Sequence, residues 1–392
     1  MKKHVAILLI LVLMMSLFSV GCVKKVETAQ EGEQGAQEDV IKIGVFEPLT
    51  GANAAGGELE VQGIKLANEK YPEVLGKKVE LVIVDNKSDK VEAANAATRL
   101  VDKDNVSVVL GSWGSGFSIA AGQVLKEKQV PAIGTSATNP LVTKNNDYYY
   151  RVCFIDPFQG KVMANYAFNE VGAKKVALVI EKSNDYSVGL AKFFEEAFVA
   201  LTGDENAIVS KVFYITGDQD FSAQLTNLKD SGAEAIFAPG NFTESALIMK
   251  QARELGIDLP ILGGDTWETP DLLDIAKETA EGVVFSTFFD AKATFNENTT
   301  EFLEAYEKAY PGKEPAAVTA LSYDAYVLAI DAIERAGSAD PKAIRDAIAA
   351  TKDFKGAAGI VNFDENGDAV KSAVIKTVKD GKFTFKTIVD PK

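Results

Sequence analysis

From residue 40 to the end, short apolar runs alternate with longer stretches of helical periodicity, and that alternation limits the folds open to this chain. The runs occupy residues 41–46, 79–84, 106–110, 130–133, 176–180, 235–238 and 259–262. Most are β-branched and continuously apolar, as strands buried on both faces must be. Between them lie segments such as residues 89–102, where Val91, Ala94, Ala97 and Val101 recur at helical spacing with charge on the other side. Strand alternating with helix predicts an α/β fold with mostly parallel sheets. No short internal repeat interrupts it.

Composition narrows the chemistry. Among 392 residues the only histidine is His4 and the only cysteines are Cys22 and Cys153. His4 falls in a segment expected to be removed, so the mature chain has no imidazole. That excludes a Ser-His-Asp triad, a Cys-His dyad and any zinc site built on histidine or several cysteines. No metal or cofactor site is expected. With 41 Lys+Arg against 56 Asp+Glu the formal net charge is −15, which argues against nucleic-acid binding.

The amino terminus reads as an export signal. Lys2 and Lys3 precede the unbroken apolar run 5–15, and Ser19-Val20-Gly21-Cys22 follows. A run this short with a basic front edge is a signal peptide rather than a membrane span. Small residues before a cysteine resemble the lipobox of bacterial lipoproteins. The resemblance implies cleavage after residue 21, lipidation of Cys22 and an extracytoplasmic, membrane-anchored protein. Residues 22–40 then form the anchor and a polar tether; about 17 flexible residues reach on the order of 20–25 Å.

Five predicted strand ends run into loops rich in glycine, hydroxyl, aromatic or acidic residues. They are Gly111-Ser112-Trp113-Gly114-Ser115-Gly116, the 134–140 loop, Asn184-Asp185-Tyr186-Ser187, Pro239-Gly240-Asn241-Phe242 and Gly263-Gly264-Asp265-Thr266-Trp267. In an open parallel sheet, ligands bind in the crevice at the carboxyl ends of the strands. Each loop alone reads as a strand-to-helix turn with a cap; together they predict a polar small-ligand cleft. Dinucleotide and P-loop fingerprints are absent, and the run 364–368 lacks calcium-loop spacing and reads as a turn.

Several of these motifs resemble one family. The opening Ile43-Gly44-Val45-Phe46-Glu47-Pro48-Leu49-Thr50-Gly51, the Ser136-Ala137-Thr138-Asn139-Pro140 loop, Arg151 with Asp156-Pro157-Phe158-Gln159-Gly160, Asp185-Tyr186-Ser187 with Gly189, and Gly264-Asp265-Thr266-Trp267 carry the likeness. They are similar to extracellular solute-binding proteins of the branched-chain amino-acid type (Leu/Ile/Val-binding), which feed ABC transporters. The resemblance spans essentially residues 40–392. It implies a two-lobed type I periplasmic-binding-protein fold with three crossovers, near residues 152–156, 287–291 and 362–370. Lobe one would comprise 41–154 plus 288–362, and lobe two 155–287 plus 363–392. Residues 374–388 read as a hairpin around Asp380-Gly381.

The resemblance also assigns a site. Ser115 and Thr138 match hydroxyls that meet the ligand's α-carboxylate, and Ser136 supplies a backbone contact. Ser115 also stands where a helix N-cap would be. Asp265 matches the acidic residue for the α-ammonium, and Asp185 is expected to cap a helix. Tyr186 matches a cleft tyrosine, and Trp113 is placed to floor the pocket; Trp267 reads equally as core. Two departures stand out: the 51–57 loop has no aromatic residue, and Asn241-Phe242 stands where branched-chain binders have a tyrosine. The expected function is capture of an apolar, branched-chain or aromatic amino acid by Venus-flytrap closure and delivery to an ABC permease, by a monomer. A sensor of the same fold coupled to a signalling partner, and a carboxylate-based enzyme, are the alternatives.

Overall fold

The β-branched runs become strands because both their faces are covered. All six residues of Val176–Glu181 are buried, and six of the seven in Ile41–Glu47. The structure is a computed structural model, and it describes residues 40–391 except Thr294. The expected signal peptide, the lipidation site Cys22 and the tether up to residue 39 lie outside the described residues.

Two sheets hold the chain. The first has the order β2-β3-β1-β4-β5-β6, from Glu73–Val74, Lys77–Asp85, Ile41–Glu47, Val108–Leu110, Ala132–Gly134 and Tyr149–Arg151. Only the β2–β3 pairing is antiparallel. The second has the order β15-β14-β11-β10-β9-β7-β8. Its parallel strands are Val176–Glu181 (β7), Ile208–Tyr214 (β8), Ala235–Phe237 (β9), Ile261–Gly263 (β10) and Val284–Thr287 (β11). Ala373–Lys379 (β14) and Lys382–Val389 (β15) add antiparallel to β11 as a hairpin. Its turn residues Asp380 and Gly381 both have left-handed φ, 54° and 69°, as a two-residue hairpin turn demands. A separate small hairpin pairs Phe354–Gly356 (β12) with Gly359–Val361 (β13).

In each sheet the chain reverses direction of growth beside its first long parallel strand. β1 has β3 on one side and β4 on the other; β7 has β8 and β9. Such switch points leave a crevice at the carboxyl ends of the strands. The first sheet's strands lie within residues 41–151, and the second takes strands from 176–287 and 373–389. Between those last two ranges the chain supplies Ala317–Ala336, which packs on the Ala54–Lys70 helix of the first lobe. Gly63 permits that approach, since a Cβ there would lie 2.1 Å from the Thr319 carbonyl oxygen.

One helix face differs from its sequence reading. In Lys90–Asp102 the buried residues are Ala93, Ala96, Ala97 and Leu100, while Val91 is 67% exposed. The expected stripe is turned by one residue, roughly 100°. The Asp89 side chain accepts from the amides of Val91 and Glu92, which puts Val91 in the capped first turn at the surface. Leu100, fully buried, sets the inward face.

Buried charges secure the segments that pass between the sheets. Arg151, with no exposed surface, donates from Nε to Asp368 Oδ1 at 2.6 Å, from Nη1 to the carbonyls of Ala137 and Asn139, and from Nη2 to Thr143 Oγ1. Asp368 sits in the turn 364–368, where Asp364 Oδ1 accepts from the amides of Asn366 and Asp368. Lys376 on β14 pairs with Glu268 at 2.6 Å and Asp290 at 3.1 Å. Removing one partner of a buried pair strands the other's charge. Asp368→Ala is therefore expected to lower the unfolding free energy by about 3–5 kcal/mol, read from urea denaturation midpoints. A change below about 1 kcal/mol, the size of an exposed pair, would show that Arg151 does not depend on this carboxylate.

Candidate functional site

The carboxyl ends of both sheets meet at a cavity of 280 Å³, close to the lower bound of about 300 Å³ for small-molecule pockets. Of the expected site residues, Trp113, Ser115, Ser136, Tyr186 and Asp265 line it. Thr138 does not: it is fully buried, and its hydroxyl has no hydrogen-bond partner.

The lobe-one wall holds an uncapped helix start. The helix Ser115–Lys128 starts at the cavity, and Ser115, Gly116 and Phe117 all line it. Gly114, at φ 98°, is the N-cap and has no side chain to occupy the first amides. Ser115 is thus the first helical residue, not the cap expected from sequence. Its Oγ accepts from the Asn139 amide at 3.2 Å, which leaves its own proton free to donate. Unfilled amides at a helix start, with the helix dipole behind them, favour a carboxylate. The neighbouring Ser136 hydroxyl donates away from the cavity, to Glu60 Oε1 at 2.5 Å, so the side chain is already committed. Trp113 packs over Gly56, where a Cβ would lie 2.4 Å from the indole.

The lobe-two wall carries a buried carboxyl group. Asp265 Oδ1 accepts from Gln159 Nε2 at 2.6 Å and from the Tyr186 hydroxyl at 2.9 Å. Gly264 gives those two groups room, since a Cβ there would sit 2.1 Å from the tyrosine oxygen. Burial pushes the Asp265 carboxyl up to about 7, against the two hydrogen bonds that stabilise its anion. A cation placed beside it would reverse that shift. Trp267 is core: it is fully buried against Gly263 and Phe285.

Contacts already bridge the two walls. Asn241 Nδ2 donates to Asn53 Oδ1 at 2.9 Å, and Asn241 Oδ1 accepts from Asn184 Nδ2. Glu181, at the end of β7, accepts from Asn184 Nδ2, the Asn241 amide and the Thr216 hydroxyl. Asn139 Nδ2 donates to the Asp185 carbonyl, Lys90 pairs with Asp185 at 2.6 Å, and Trp113 meets Phe242 edge-on at 6.1 Å. The lobes are drawn together around the cavity. Asp185 does not cap its helix; the Asn184 side chain does, accepting from the Tyr186 amide.

Sequence reasoning missed Asn53, Glu181 and Lys90 as cavity residues. Asn53 and Lys90 sit at helix starts that read as ordinary turns. Glu181 directly follows the run 176–180, so its place at a strand's carboxyl end was the available signal.

A two-lobed α/β scaffold, with the open amides of a helix start facing a buried carboxylate across a closed cleft, defines a solute receptor. A sequence-family model for periplasmic binding proteins matches residues 40–382. The chain belongs to the periplasmic binding protein family, whose members are extracytoplasmic solute receptors rather than enzymes. It is 32% identical over 337 residues to Leu/Ile/Val-binding protein homolog 3 of Brucella melitensis, covering 84% of this chain and 88% of that one. A leucine binding protein from Thermotoga maritima superposes with TM-score 0.87 at 46% identity, over 90% of this chain and 99% of that one. The Streptococcus pneumoniae branched-chain amino acid transporter substrate-binding protein LivJ, solved with isoleucine, gives 0.83 at 36% identity, over 90% and 100%. Among the described residues no helix is long and apolar enough to cross a membrane.

A second buried acid is expected to make the stability of the empty receptor depend on pH. Asp156 has no exposed surface and no partner on either carboxylate oxygen, and burial pushes it up to about 8. Its pKa in the unfolded chain is about 4, so the folded state holds more protons. The stabilisation from this group is complete below that value and is lost as pH rises through about 8. The melting temperature of ligand-free protein should fall across this range, and Asp156→Asn should flatten the slope. Calorimetric scans giving equal slopes for the two proteins would reject the assignment.

Proposed function

We propose that this protein captures a zwitterionic amino acid between its lobes and presents the closed form to the permease of an ABC transporter. One observation carries the reading: the open amides of Ser115–Phe117 on lobe one face a cavity whose other wall holds the buried Asp265. An α-carboxylate and an α-ammonium supply the charges those two walls lack. Ser115 donates its free hydroxyl to the carboxylate, and Ser136 has only its backbone to offer. Thr138, next to Asp156 in space, supports this wall from behind. Tyr186 and Gln159 hold Asp265 in position. Trp113, replacing an aromatic residue missing from the 51–57 loop, lies against the ligand's side chain. That surface suits a branched-chain or aromatic amino acid, in keeping with the leucine- and isoleucine-binding relatives.

A charge pair sealed from water loses about 2–5 kcal/mol when one partner is truncated. That is roughly 30-fold to several thousand-fold in dissociation constant. Asp265→Ala is expected to abolish leucine binding at micromolar ligand while leaving the melting temperature of the empty protein within a few degrees. Calorimetric titration with leucine and its deaminated analogue checks this. Equal affinities for the two in wild type would remove the ammonium role.

The export segment completes the proposal. Lipidation of Cys22 would hold the receptor, as a monomer, within tether length of the permease. A Cys22→Ser protein should appear in the soluble fraction of fractionated cells; retention in the membrane fraction would rule out the anchor.

A further inference from the structure

Two buried carboxyl groups lie directly beneath the lobe-one wall. Glu47 ends β1 and Glu60 lies in the Ala54–Lys70 helix, and neither has exposed surface. Glu47 Oε2 accepts from the Trp113 amide at 2.8 Å and from the Ser112 hydroxyl at 3.4 Å. Glu60 accepts from the hydroxyls of Thr135 and Ser136, each at 2.5 Å. Trp113 and Ser136 both line the cavity. The remaining oxygen, Glu47 Oε1, has no hydrogen-bond partner, and the two buried carboxyl groups act directly on one another. Tyr149 of β6 and Asp265 of the opposite lobe are the titratable groups acting on the pair. Neither carboxyl has a lysine or arginine partner among the described residues. Two such groups resist ionising together, so one proton is held between them until the pH rises past neutrality.

We propose that Glu47 and Glu60 are positioning residues of the ligand site, sharing one proton that ties Trp113 and Ser136 into one wall and keeps that wall low in negative charge. The proposal rests on the reading that this wall receives the ligand's carboxylate. Burial raises both groups; Glu60 reaches about 7 against the hydrogen bonds from Glu47, Ser136 and Thr135, and the Glu60 carboxylate pushes Glu47 up further. A bound carboxylate raises the pair further, so the complex holds more protons than the empty receptor. Affinity is then full below about pH 7 and falls as pH rises through the neutral range. Asp265 works in the opposite sense: the ligand's ammonium needs it ionised, so affinity falls on the acid side.

The test is calorimetric titration with leucine from about pH 5.5 to 8.5, for wild type, Glu47→Gln and Glu60→Gln. Wild type should bind most tightly near neutrality, with an alkaline limb of about tenfold, the change that one unit of pKa shift produces. In Glu47→Gln an amide N–H replaces the shared proton and Glu60 stays ionised. Its alkaline limb should vanish, because the wall then carries the same charge across the whole range. Glu60→Gln should behave alike, and serves if the first variant does not fold. A uniformly weakened curve that keeps its alkaline limb would mean that the pair only fills space, and would overturn the proposal. Tryptophan emission of ligand-free protein gives a second arm, because Trp113 is bonded to Glu47 and the chain has only two tryptophans. Wild type should show a neutral-range transition that Glu47→Gln lacks. Superimposable curves would overturn the shared proton whether or not leucine binds. Absence of leucine binding with that transition present would instead count against the amino-acid reading alone.

Discussion

Arg151 is the constraint on which the site and the chain crossings both depend. Its guanidinium is buried completely, and its planar fork can be satisfied only if several acceptors converge on it. Two of those acceptors are the carbonyls of Ala137 and Asn139, in the loop beside the cavity. Two more, Thr143 Oγ1 and Asp368 Oδ1, are themselves joined at 2.7 Å. The backbone adds a bond from the Arg151 amide to the Gly367 carbonyl. A single side chain therefore sets the shape of a cavity loop and pins the segment that leads from the β12–β13 hairpin into the second sheet. Moving either would leave a buried cation short of partners.

The cleft follows from the same economy of buried polar groups. Every strand that ends at the cavity delivers backbone or side-chain polar atoms to a place with little water. The structure satisfies them in chains: Thr216 to Glu181 to Asn184 to Asn241 to Asn53 crosses from one lobe to the other. The Asn184 and Asn241 amides both donate and accept, and Asn53 accepts at the end of the chain, so it closes only when the lobes approach. Bonds of this kind add about 0.5–1.5 kcal/mol each, enough to bias closure and too little to lock it. A ligand that binds both walls then shifts the population further.

Hydrophobic periodicity made most of the architecture legible. The strand runs, the Asp380-Gly381 hairpin and the turn at 364–368 all stand where the residues pointed, because β-branched runs and left-handed turn residues act locally. The helix Lys90–Asp102 was legible as a helix and misread in phase. Alanine-rich stripes on neighbouring faces differ little in hydrophobicity, and only packing of Leu100 decided between them. The caps at Gly114 and Asn184 were each misplaced by one residue, since Ser115 and Asp185 are equally good cap types in isolation.

The sequence by itself determined the alternation of strand and helix and the five polar loops at strand ends, and it placed its single histidine, His4, outside that alternation. Those properties belong to single segments and to composition. Only the tertiary structure decided which polar residues share a cavity. Glu47 and Glu60 lie 13 positions apart with nothing between them to suggest a pair; a parallel strand and its following helix bring their carboxyls together beneath Trp113 and Ser136. Asn53 and Asn241 are 188 residues apart and meet because the lobes close. Burial, too, is a property of the assembled fold. An aspartate such as Asp156 reads as an ordinary helix-start acid until the surrounding lobe removes its water and raises its affinity for a proton.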